Sequence, residues 1–187
     1  MQEDGTIGSR FLRYDVADWP LVVASVPEDA NSHAATLDDI RLTMDALRAV
    51  MHVAKFGSDG NGRIPGTPHA TTEDDEIGNN LPSSLRGLKC GPISTIVDLT
   101  KAKIPPMSLI PAVIELVQLS EQLAKNCVVT RVVILNPSLK DIARMVTTAA
   151  GGISSKLVTS EDEAFRYIEE GISTVEMSDS ERLSILA

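Results

Sequence analysis

The sequence predicts an α/β fold: one mixed, mostly parallel sheet in the order β-β-α-β-α-β-α-β-α, with helices packed on it. Three observations carry this. Short apolar runs of strand length alternate with longer stretches whose apolar residues recur every three or four positions. A hydroxyl with a carboxylate three residues on, the signature of a helix start, occurs at Thr36/Asp39, Ser138/Asp141 and Ser160/Glu163. The composition is 43% hydrophobic but only 3% aromatic, which implies a core of Leu, Ile, Val, Ala and Met. Strands that alternate with helices pair in parallel through right-handed crossovers.

Residues 1–9 are mostly polar and read as a frayed terminus. Phe11 to Val16 forms a first strand, broken at Asp18-Trp19-Pro20 because proline fixes φ and lacks a donor. Leu21 to Val26 is a second strand, in a hairpin with the first, and Trp19 caps the core edge. After a loop from Pro27 to Ala35, Thr36 opens a helix to about Phe56, with Leu37, Ile40, Met44, Leu47, Met51 and Ala54 on one stripe. The stretch from Gly57 to Pro92 has seven glycines, four prolines, the acidic run Glu73 to Glu76 and no apolar period. It reads as an insertion with one helical turn near Thr71 to Ile77.

The chain is organised around the next unit, Ile93 to Leu123. Ile93-Ser94-Thr95-Ile96-Val97 is a buried strand reaching Asp98-Leu99-Thr100. A polar, proline-bearing segment follows from Lys101 to Met107, and Ser108 then opens a helix. That helix is apolar on more than one face, so it is either buried or covered by a partner. Alone among these helices it has no carboxylate in its first turn, Pro111 standing in that place, so Ser108 is either an ordinary N-cap or sits at a positive end that would favour an anion or a phosphate on Ser108 itself. Arg131 to Leu135 is the next strand, ended by Asn136-Pro137. A helix capped by Ser138 turns Leu139, Ile142, Ala143 and Val146 inward and stops at Gly151-Gly152. Ile153 to Val158 is the last strand. Ser160 and Glu163 open a last helix with Ala164, Phe165 and Ile168 inward and Gly171 as its stop. Residues 1–187 thus read as a single domain with an insertion at 57–92.

Several function classes are disfavoured. A net charge of −9 and the lack of aromatic platforms argue against a nucleic-acid partner. No apolar run approaches the ~18 residues of a membrane span, and the polar start is no signal peptide, so a cytoplasmic location is expected. Cys90 and Cys127 form no CxxC pair and read as reduced thiols. His33, His52 and His69 lack ligand spacing, so no metal is expected. The loop from Gly57 to Arg63 fits neither a phosphate loop nor a calcium loop, and no cofactor is implied. No catalytic constellation stands out, which leaves an enzyme as the lesser expectation.

The order of elements, and Ile96-Val97-Asp98-Leu99-Thr100 followed by a short loop and a helix, resemble the STAS family of anti-sigma factor antagonists and SpoIIAA-like proteins. The strand Arg131 to Leu135 resembles the one after that helix, and Lys156 to Ala164 resembles the family's final strand and helix start. The resemblance covers roughly Leu21 to Gly171 without the insertion. It implies a STAS-like fold and a non-enzymatic regulatory or protein-interaction module. Binding would run through Asp98, Thr100, Ser108 and Leu109 and the following helix, to a protein partner or in a homodimer. The family's phosphate-accepting serine falls on Ser108, the candidate phosphosite, and Thr100 takes the place of the strand-end serine. The chain departs from the family loop at Pro106, Met107 and Leu109, where the family has Asp, Ser and Gly. The alternative reading is a domain binding a small apolar, lipid-like ligand in a pocket between the sheet and the Ser108 helix.

Overall fold

The computed structural model describes residues 6–27, 35–59, 72–125, 127–152 and 155–170. One sheet holds six strands in chain order: β1 (Thr6–Gly8), β2 (Arg13–Asp15), β3 (Leu21–Ser25), β4 (Ile93–Leu99), β5 (Val128–Leu135) and β6 (Lys156–Val158). The pairings β1–β2 and β2–β3 are antiparallel, and β3–β4, β4–β5 and β5–β6 are parallel. The α/β class and the mixed, mostly parallel sheet are therefore as the sequence predicts.

The helices follow from the same connectivity. Helix α1 (Leu37–Phe56) leaves β3, and α2 (Thr72–Asn79) precedes β4. Helices α3 (Ile110–Ala124) and α4 (Lys140–Ala149) join β4 to β5 and β5 to β6, and α5 (161–170) follows β6. Because the parallel strands run in sequential order, right-handed crossovers put α1, α3 and α4 on one face. Ala164 and Ile168 of α5 pack on the other face, against Ile96, Val132, Ile134 and Val158. Strand alternation divides the side chains accordingly. Tyr14, Val22, Ala24, Thr95, Val97, Arg131 and Val133 look toward α1, α3 and α4.

Local chemistry explains the element ends. At α1, Thr36 Oγ1 accepts the Asp39 N–H at 3.2 Å, and Asp39 Oδ2 accepts the Thr36 N–H at 3.0 Å. This capping box satisfies orphan donors. Ile40, Leu47, Val50, Val53 and Ala54 of α1 are buried, while Leu37 at its start is 42% exposed. The helix stops at Gly57, whose φ of +77° suits glycine and whose N–H donates to Val53 O at 2.8 Å. Helix α4 ends in paired bonds, Gly152 N–H to Thr147 O at 2.8 Å and Gly151 N–H to Thr148 O at 3.2 Å.

Five expectations need correction. Residues 6–8 are not frayed: they pair with β2, and Ser9 Oγ meets Thr43 Oγ1 of α1 at 2.9 Å in a buried contact. The 57–92 stretch carries the helical turn expected of it, but apolar residues in it, read as having no period, join the core. It contributes α2 and a 3₁₀ turn (Ser83–Leu85), and Leu81 and Leu85 are 5% and 0% exposed. Ser108 is not the cap of α3. A 3₁₀ turn (Met107–Leu109) comes first, with Leu109 at the cap position and no side-chain cap. Ser138 is likewise inside a 3₁₀ turn (Pro137–Leu139), where Asn136 Oδ1 accepts its N–H at 3.0 Å. In both cases a proline pre-set for helical φ starts the turn before the serine. Phe165 is not inward but 39% exposed. Ser160 does cap α5, accepting the Glu163 N–H at 3.3 Å. The loop from Gly60 to Arg63, His33, His69 and the Gly171 stop lie outside the described residues.

Candidate ligand-binding site

Between the helix-facing side of the sheet and α1, α3 and α4 lies a cavity of about 220 Å³. Its cause is a deficit of side-chain volume. The middle of the sheet offers Ala24, Val97 and Val133, and α4 offers Ala143 opposite. With aromatics at 3% of the chain, few large rings are present to fill the space. The consequence shows on β4 and β5, which have neighbours on both sides. Interior strands are normally sealed by their covering helices. Here Val97 and Val133 are only half-buried, and Leu157 on β6 is 48% exposed. The walls near α1 are closed, with Tyr14, Val22, Met51 and Leu116 buried. The cavity therefore runs from a closed end under α1 to an opening beside α4 and β6.

Polar groups gather at the closed end. Arg131 is on β5, with its side chain 7% exposed. Its Nη1 donates to Glu121 Oε1 of α3 at 2.6 Å, and its Nη2 donates to Ser120 O at 3.1 Å. A buried guanidinium is tolerable only with such pairing. Thr95 is the cross-strand partner of both Arg131 and Val22. It is 6% exposed, and among the described residues nothing hydrogen-bonds its Oγ1. Tyr14, also lining this end, is buried. Burial pushes its phenol well above the ordinary range, and the Arg131 guanidinium partly opposes that rise. The phenol is thus protonated at neutral pH.

The residues expected to carry function lie elsewhere. Asp98 alternates with Val97 and so points away from the cavity. It is half-buried, and its Oδ1 accepts the Thr100 N–H at 2.8 Å, a local turn closing the strand end. Thr100 is exposed, and its carbonyl accepts from Asn136 Nδ2 at 3.0 Å. Ser108 is exposed, and among the described residues its side chain makes no hydrogen bond. Leu109 is half-buried against the core. The loop they flank does reach the cavity, since Ala102, Lys103 and Pro105 line it, while Ile104 and Met107 are 58% and 74% exposed. On α3, Val113 and Val117 also line the cavity and stay half-buried.

Sequence reasoning missed Tyr14, Thr95, Glu121 and Arg131. A signal existed for two of them: Thr95 is a polar residue inside the run read as a buried strand, and Arg131 is a charge opening the next strand. Cys90 and Cys127 are both free thiols, and Cys127 Sγ donates to Leu123 O at 3.2 Å. Among the described residues no helix is long and apolar enough to cross a membrane. Comparison with protein-family models, curated proteins and solved structures finds no match in any of the three. The functional reading therefore stands on the geometry of the site.

Proposed function

We propose that this chain binds a small apolar ligand in the cavity between the sheet and α3. The observation behind this reading is the partial exposure of Val97 and Val133 at the centre of the sheet. Native interiors are close-packed, and an apolar void at mid-sheet loses dispersion contacts along its whole lining. An engineered apolar cavity of about 150 Å³ takes up benzene. Scaled by volume, the 220 Å³ here would enclose about nine non-hydrogen atoms. Native mass spectrometry of freshly purified protein tests the reading. It predicts a bound mass of about nine non-hydrogen atoms, or saturable uptake of an added eight-carbon compound. A ligand-free protein that takes up no such compound contradicts it.

A second reading has its own observation. Ile104 and Met107 expose large apolar side chains on the loop after β4. Such residues commonly mark a contact surface. On this reading the loop from Asp98 to Ser108, with Thr100 and Leu109, meets a protein partner or a second copy, as the STAS resemblance implies, and phosphorylation of Ser108 would switch that contact. Met107→Glu should then abolish self-association or partner binding while leaving the fold intact. A monomer with no phosphate on Ser108, even after co-expression with a cognate kinase, would remove its support.

A further inference from the structure

Resting on the proposed ligand site, we infer that the cavity selects an uncharged amphiphile: an apolar chain ending in one hydroxyl or carbonyl group, seated on Thr95. Two independent features meet at the closed end. The first is the Thr95 hydroxyl, 6% exposed, lining the cavity and without a hydrogen-bond partner among the described residues. A buried hydroxyl with no partner is costly, and most such groups in native proteins are satisfied. A ligand oxygen at this point completes it. The second is charge balance. The guanidinium of Arg131 is already paired with Glu121 and bonded to Ser120 O, and the Tyr14 phenol is neutral. The end therefore carries no net charge. An ionised carboxylate seated there would face the Glu121 carboxylate as well as Arg131, and a cation would meet Arg131. Either would lose its hydration without a counter-charge of its own. The other cation on the lining, Lys103, lies in the loop beyond the far end of β4, about 13 Å of strand from Thr95. The remaining wall is mostly aliphatic, with Phe11 and the hydroxyl side chains of Ser120, Thr147 and Ser155 also on the lining.

The test uses the full chain and three eight-carbon probes: octan-1-ol, octanoate at pH 7.5 and n-octane. Affinities are measured by calorimetry or by displacement of a fluorescent dye. The expected result is octan-1-ol binding at least tenfold tighter than octanoate and octane. In Thr95→Val, octan-1-ol should fall to within about twofold of octane, as a lost hydrogen bond to a buried group would give. Thr95→Ser should keep the alcohol preference, which separates loss of the hydroxyl from damage to the fold. Octanoate equal to or tighter than octan-1-ol would overturn the inference, as would an unchanged alcohol preference in Thr95→Val. Either outcome leaves the ligand site itself standing. Binding of none of the three probes would overturn the ligand-site reading together with the inference.

Discussion

Replacing Val133 by phenylalanine fills the cavity from its own wall. The cavity measures about 220 Å³. At about 24 cal/mol per Å³, a closed void of that size would cost about 5 kcal/mol, an upper bound because this one opens beside α4. The substitution adds roughly four buried CH₂ equivalents, about 3 kcal/mol at full burial. Partial exposure of the ring and lost side-chain freedom reduce that to a net gain of roughly 1–2 kcal/mol. Phenylalanine suits a strand, so the backbone adds no penalty. The matched control is Val132→Phe, one residue earlier on the other face, where Val132 is 0% exposed under α5. Overpacking there should cost about 1–3 kcal/mol. Urea unfolding reads both as shifts of the midpoint at unchanged slope. Val133→Phe should raise the midpoint and abolish octan-1-ol binding, while Val132→Phe lowers the midpoint. If Val133→Phe destabilises the protein as much as its neighbour does, the space is not there and the reasoning fails.

Three further outcomes are expected. Glu121→Gln leaves Arg131 buried without its counter-charge and should cost about 3 kcal/mol in urea unfolding, whereas the joint change Glu121→Leu with Arg131→Met should be near neutral. Thr95→Val removes an unsatisfied hydroxyl and should stabilise the ligand-free protein by about 1 kcal/mol, read as a higher unfolding midpoint. Alkaline stability should fall in two stages. Burial raises Cys127 above its ordinary value of 9.0 and Tyr14 above 10.0, so above each value the unfolded chain holds fewer protons than the folded one. The slope of stability with pH is then negative, by at most about 1.4 kcal/mol per unit for each group, and absent below pH 8. Tyr14→Phe should flatten the part above pH 10, and an unaltered curve would show that the phenol is not buried in solution.

What the sequence revealed depended on how local the cause was. Helix α1 was legible almost to the residue, since Thr36, Asp39 and the stripe of Ile40, Leu47, Met51 and Ala54 all act within a few turns. The parallel pairing of β3 to β4, β4 to β5 and β5 to β6 followed from the alternation of apolar runs and helices. Strand β1 was not legible, because three residues beside a glycine become a strand only when β2 supplies the ladder. Leu81 and Leu85 were missed for a similar reason. They are isolated apolar residues in a Gly- and Pro-rich stretch, and tertiary packing alone buries them. The starts at Ser108 and Ser138 were misplaced because a proline one or two residues earlier opens a 3₁₀ turn, a signal shared by both sites. The pocket's position between the sheet and α3 was expected as the alternative reading, but its polar end was not. Tyr14, Thr95, Glu121 and Arg131 come from four elements, and no spacing in the sequence links them.

The most direct measurement is a methyl NMR titration of the full chain with octan-1-ol. Saturable shifts at the methyls of Val97, Val133 and Leu157, with ligand-to-methyl contacts at these residues and at Thr95, are the predicted result. Saturable shifts confined to Ile104 and Met107 on the outer loop, or no saturable shift in a folded protein, would contradict a ligand site inside the sheet–helix layer.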